Sequence, residues 1–175
     1  MTSFQCRGLD PREFQRLFPL SDEDLALRGA RRIFADEPDA YPCRVSLRRA
    51  KVGEELLLVH YEHQPNPASP YRAGGPIFVS RRGKPPPPYR DELPPALRDR
   101  VLSLRAYDSS AFIVDAEVAE SEAAPRAIRR FLADPAVSHV DAHFAGRGCF
   151  AARFERCEAD AAAGLRPGAA GSAGP

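Results

Sequence analysis

Residues 55–62 read ELLLVHYE, with four consecutive apolar side chains, Leu56, Leu57, Leu58 and Val59, just after the turn-like Lys51-Val52-Gly53. An apolar run of strand length without polar alternation predicts a central strand buried on both faces. Whatever this chain folds into must therefore cover a sheet on two sides. The segments around it point the same way. Residues 32–35, 43–47, 77–80, 101–107, 111–118, 137–144 and 149–156 all read as strands, separated by turn-forming residues such as Asp108-Ser109-Ser110 and Ala145-Gly146-Arg147-Gly148.

Helical signals are shorter and lie mostly at the two ends. Asp10-Pro11-Arg12-Glu13 places a capping Asp, a Pro at the first helical position and a Glu in the first turn, and Phe14, Leu17 and Phe18 then share a face. Ser21-Asp22-Glu23-Asp24 repeats the pattern, with Gly29 as its C-terminal cap. The first forty residues thus read as a helical lead-in, with residues 32–35 its one possible strand. Residues 94–100 predict a short helix. Ser121 is the expected cap of a longer one through Asp134, with Ile128, Phe131 and Leu132 on its buried face.

Together these segments predict an α+β fold: a mainly antiparallel sheet of about six to eight strands with short flanking helices. The strand–helix–strand order over residues 111–144 permits one βαβ crossover near the C-terminal end. Alternating βα units are missing, which argues against a doubly wound nucleotide fold. Residues 1–157 are expected to form one domain. Residues 158–175, EADAAAGLRPGAAGSAGP, have almost nothing to bury and are expected to be a disordered tail. Lys84 and the four prolines after it read as a stiff polyproline II connector, the alternative being a ligand for a proline-recognising module.

Charge narrows the classes of partner. Lys+Arg 25 against Asp+Glu 24 leaves +1, so nothing marks the chain for nucleic acid or anionic lipid. No apolar run approaches the roughly 18–20 residues of a membrane helix. The N-terminus MTSFQCRGLD lacks the basic and apolar regions of a secretory signal, so a cytoplasmic location is expected. Lys51 and Lys84 are the only lysines, a bias expected of a GC-rich genome. The four cysteines have no CxxC spacing, and free thiols are the expectation.

Phosphate-binding GxxxxGK[ST], dinucleotide-binding GxGxxG, nucleophile-elbow GxSxG and zinc-binding HExxH motifs are all missing. The reactive side chains gather instead in two segments. One is His60-Tyr61-Glu62-His63, continuing to Tyr71-Arg72. The other is His139-Val140-Asp141-Ala142-His143, continuing to Gly146-Arg147-Gly148-Cys149. All four histidines lie in these segments.

On a strand, His139, Asp141 and His143 share one face. The default explanation is a half-buried strand showing water a polar face; the alternative is a site. Gly146-Arg147-Gly148 is either a glycine-rich hairpin loop or a cradle presenting N–H groups and a guanidinium to an anion. Cys149 is either a buried small thiol or a nucleophile with His143 as base, and Cys43-Arg44 carries the same pair of readings.

Four stretches, YPCRVSL (residues 41–47), LLLVHYEHQ (56–64), SPYRAGGPIFV (69–79) and VSHVDAHFAGRGCFAARFER (137–156), resemble the bacterial family called domain of unknown function 1203. The resemblance runs in order from about Phe4 to Arg156. It implies one complete domain of bacterial origin and carries with it no activity, cofactor or site residue.

Three functions remain in competition. In the first, a pocket binds a small anionic ligand through Tyr71, Arg72 and Arg147, with His63, His143 and Cys149 supplying acid–base or nucleophilic chemistry. In the second, His60, Glu62 and His143 (or His139) form a two-histidine, one-carboxylate metal site, with Arg153 pairing an acidic cosubstrate. In the third, the chain is a non-enzymatic interaction protein using residues 84–89 or a sheet edge. Cofactor and oligomeric state are left open.

Overall fold

The computed structural model describes residues 2–157, and the expected tail over 158–175 lies outside them. Nine strands, three α-helices and a 3-10 turn follow in the order β1 (Phe4–Cys6), α1 (Arg12–Gln15), α2 (Asp22–Ala26), β2 (Arg31–Phe34), β3 (Glu55–Gln64), β4 (Ala73–Ser80), β5 (Tyr89–Arg90), the 3-10 turn Pro95–Leu97, β6 (Val101–Tyr107), β7 (Ile113–Glu120), α3 (Ala124–Ala133), β8 (His139–Phe144) and β9 (Phe150–Arg156). The fold is α+β, with the strands divided between two antiparallel sheets. Six form the order β5-β1-β9-β8-β6-β7 and three form β2-β3-β4. No helix of the described residues is long and apolar enough to cross a membrane.

Both β7 and β8 pair antiparallel with β6, one on each side. They therefore run parallel to each other with β6 between them, and α3 makes the crossover. Ala124, Ile128, Phe131 and Leu132 of this helix pack on Leu102, Leu104, Val140, Ala142 and Phe154, the apolar face of the larger sheet. Ser121 does not cap the helix: Ala123 stands at the N-cap, and the Ser121 hydroxyl accepts instead from the Asp99 amide at 3.1 Å. Ser21 does cap α2, accepting from the Asp24 amide at 3.1 Å.

The second core lies between the smaller sheet and the N-terminal helices. Phe14, Phe18 and Leu25 pack on Leu57, Val59, Ile77 and Val79. The helical lead-in is thus only partly right, because β1 precedes the helices and joins the larger sheet between β5 and β9. The strand expected over 43–47 does not form. Cys43 makes an isolated bridge to Phe78 and Pro42 one to Arg49, while Cys43 and Val45 fill one core and Leu47 the other. Lys84 and its prolines run between β4 of one sheet and β5 of the other.

At ten residues, β3 is the longest strand, and its length matters. Its first half covers the helices, whereas its last residues reach the face of the larger sheet that α3 leaves free. There Tyr61 and His63 meet Phe150, and Gln64 meets His139.

Candidate functional site

Two groups of polar side chains emerge from this arrangement. The first is buried between the sheets. His139, Asp141 and His143 do share one face of β8, but that face is covered by the end of β3, and all three are buried. The water-facing reading of this alternation therefore fails. A half-buried strand and a strand between two layers have the same period of two, and only the position of the second sheet separates them.

His63 and His143 meet edge to face with ring centroids 4.8 Å apart, and His63 also stacks on Phe150 at 5.0 Å. Each histidine sits at an irregularity in its ladder. The β3–β4 register shifts between Tyr61 and Gln64, which turns two consecutive residues, His63 and Gln64, inward. The β8–β9 register shifts between Ala142 and His143. Bulges of this kind re-aim side chains.

Asp141 has no exposed surface, and Arg153, opposite it on β9, grips its carboxylate with Nε and Nη2 at 2.8 and 3.0 Å. The same Nη2 donates to the His63 carbonyl at 2.8 Å, tying the sheets together. Arg153 is thus committed within the protein and is not poised for an acidic cosubstrate. Gln64 donates to His139 Nε2 at 3.0 Å, and His139 stacks on Tyr107 at 5.2 Å. His143 Nδ1 donates to the Gly148 carbonyl at 3.1 Å. In contrast, His143 Nε2 and both ring nitrogens of His63 are buried with no hydrogen-bond partner.

Burial holds these imidazoles neutral. It lowers His63 to about 4 and His139 to about 4, and His143 falls to about 3, with the Arg105 guanidinium adding to the effect on His63 and His143. Burial also pushes the Asp141 carboxyl up, against the opposing pull of Arg153.

The second group lines a cleft of about 1060 Å³ between the smaller sheet and the loops that end β8 and begin β6. Tyr41, Phe78 and Phe144 supply apolar walls; Arg44, Arg100 and Arg147 supply positive charge, and Asp36, Glu37 and Asp99 supply negative charge. Arg44 is only 3% exposed. Its Nε donates to the Phe150 carbonyl at 2.8 Å, Nη1 donates to the Pro42 carbonyl, and the guanidinium lies 5.2 Å from the Phe144 ring centre. No carboxylate pairs with it among the described residues. Burial lowers its pKa to about 10, which leaves it charged at neutral pH.

The expected site residues therefore separate. His63 and His143 come together in the buried cluster, and Arg147 and Cys149 together at the cleft. No hydrogen bond joins Cys149 to His143; the thiol contacts the Arg147 carbonyl at 3.9 Å. Tyr71 and Arg72 line neither place. Tyr71 is exposed and packs on Phe112, and Arg72 pairs with Glu62 at 2.8 Å. His60 and Glu62 occupy the exposed face of β3, opposite to His63, so they do not share a site with His143.

Sequence reasoning raised Asp141 only as part of the face shared with His139 and His143, raised Arg44 only beside Cys43, and passed over Gln64. Asp141 had a visible signal in its alternation with the histidines. Arg44 had none, because its burial depends on the packing of both sheets.

The molecule is thus a two-sheet α+β protein with a histidine–aspartate cluster at the sheet interface and an arginine-lined cleft beside it. It belongs to the family described as Protein of unknown function (DUF1203), whose model matches residues 40–156. The match spans the buried cluster and all of the cleft lining except Asp36 and Glu37. No curated protein and no solved structure matches the chain.

Proposed function

We propose that the protein binds a small anionic molecule in the cleft, with Arg44 as its anchor and Arg147 at the rim. The observation that carries this reading is Arg44 itself, a buried guanidinium facing a cleft with no carboxylate partner among the described residues. A buried charge without a counter-charge costs several kcal/mol, and an anion from solvent would relieve that cost. Arginine also suits the task, because its planar fork matches a carboxylate or phosphate with two hydrogen bonds.

The walls narrow the ligand further. Tyr41, Phe78 and Phe144 offer contact to an apolar body, and the acidic trio Asp36, Glu37 and Asp99 disfavours a polyanion. A monocarboxylate, or an anion carrying its own cationic end, fits best. Cys149 lies in the same cleft and would stand beside the bound molecule.

Thermal unfolding against a panel of small carboxylates, amino acids, sulfate and phosphate tests the proposal. A ligand at a hundred times its Kd adds about 2.7 kcal/mol of stability. The melting temperature of the wild type should rise with at least one member. Arg44→Gln should abolish that rise, and Arg147→Ala should diminish it. No response from the wild type to any member, or an undiminished response in Arg44→Gln, removes the proposal.

A further inference from the structure

We propose that His63, Asp141 and His143 form a binding site for one divalent first-row transition-metal ion. The proposal does not rest on the cleft or its ligand.

One donor atom from each of the three residues lies within 4.8 Å of the others, although the residues come from two different sheets. Bonds of about 2.0–2.1 Å in tetrahedral geometry set ligand atoms about 3.4 Å apart. Rotations of the two imidazoles by about an ångström would close that difference. No hydrogen bond at the metal-facing nitrogens would have to break, because His63 Nδ1 and Nε2 and His143 Nε2 have no other partner. Buried polar atoms without partners are rare in folded proteins, and three within one cluster call for a ligand.

The surrounding contacts also suit a metal. Donation from His143 Nδ1 to the Gly148 carbonyl fixes the tautomer that leaves Nε2 with a free lone pair, the usual outer partner of a metal-bound imidazole. The Arg153 fork takes one lone pair from each Asp141 oxygen and leaves the others, while holding the carboxylate in place. His63 is held by its stacking on Phe150. His139 is not a ligand, since Gln64 already occupies its Nε2. Two imidazoles and one carboxylate favour zinc, iron(II), cobalt or nickel over calcium and magnesium. Three protein donors leave at least one coordination position open. The Arg153 pairing also offsets part of Asp141's charge, so affinity should fall below that of a closed structural zinc site.

The test uses tag-free protein stripped with a chelator and then dialysed against Zn²⁺ or Co²⁺, with metal measured per chain. One ion per chain is expected, bound at least tenfold more weakly by His63→Ala and by His143→Ala. Binding by His60→Ala and Cys149→Ser should match the wild type. Copper-loaded wild type, examined by electron paramagnetic resonance, needs no variant and should show coupling to two nitrogen ligands. The proposal is overturned by no stoichiometric binding, by wild-type affinity in both His63→Ala and His143→Ala, by loss of binding on replacing His60 or Cys149, or by a copper spectrum without nitrogen coupling.

Discussion

Replacing Arg153 with methionine keeps much of the side-chain volume and removes the two N–H groups that hold Asp141. The carboxylate has no exposed surface beneath Arg153, whose own side chain is 34% exposed, so water replaces only part of what the guanidinium supplies. Breaking a buried pair by removing one partner costs about 3–5 kcal/mol, chiefly from the charge left behind. Against a total stability of roughly 5–15 kcal/mol, that is a large share. A loss of about 4 kcal/mol should lower the melting temperature by roughly 8–16 °C in a domain of this size. The chain has no tryptophan, so urea unfolding is best followed by far-ultraviolet circular dichroism, with chelator present. The double variant Asp141→Asn/Arg153→Met removes both charges and should recover at least half of the loss. A cost below about 1 kcal/mol for Arg153→Met, or a double variant as unstable as the single one, would refute the buried-pair reasoning.

Two further outcomes follow from the packing. His63, His139 and His143 are held neutral when folded, at about 4, about 4 and about 3, but take up protons near 6.5 once unfolded. The unfolded chain then binds more protons, so stability falls as pH drops from about 6.5 towards 4. Each histidine contributes about 1.4 kcal/mol per pH unit, or roughly 4 for the three. Urea midpoints at pH 7, 6 and 5 should decline steeply below 6.5, and a flat profile would show that the rings are not buried neutral. Separately, a Cβ at Gly8 would lie 1.9 Å from the Val45 carbonyl oxygen, beside the Leu9–Arg44 backbone hydrogen bond of 2.9 Å. Gly8→Ala should therefore cost about 1–3 kcal/mol by thermal unfolding, as overpacking against backbone does; a neutral result would place Gly8 farther from that segment.

Periodicity made much of the fold legible. The apolar run in β3, the face of α3 and the alternation in β8 all lie where residue spacing puts them, because each is long enough to repeat. Three-residue β1 is too short to show a period, and its partners are distant in sequence: Gln5 pairs with Arg90 and Glu155. Residues 43–47 misled because their alternation serves two cores instead of a ladder. Within the candidate site, the histidines were visible as residues, but their convergence depends on register shifts at β3 and β8 that leave no mark in composition. Arg44 looked like one arginine among many until its burial without a carboxylate set it apart.

Isothermal titration with the small carboxylate or phosphate that most raises the melting temperature, performed on wild type, Arg44→Lys and Arg147→Lys, goes straight to the cleft. Lysine keeps the charge and loses the fork. Loss of a charge-assisted hydrogen bond, worth about 1.5–3 kcal/mol, should make Arg44→Lys bind roughly ten- to a hundredfold more weakly, with a smaller loss at Arg147. Equal affinity in the wild type and Arg44→Lys would contradict an anion held by the buried guanidinium.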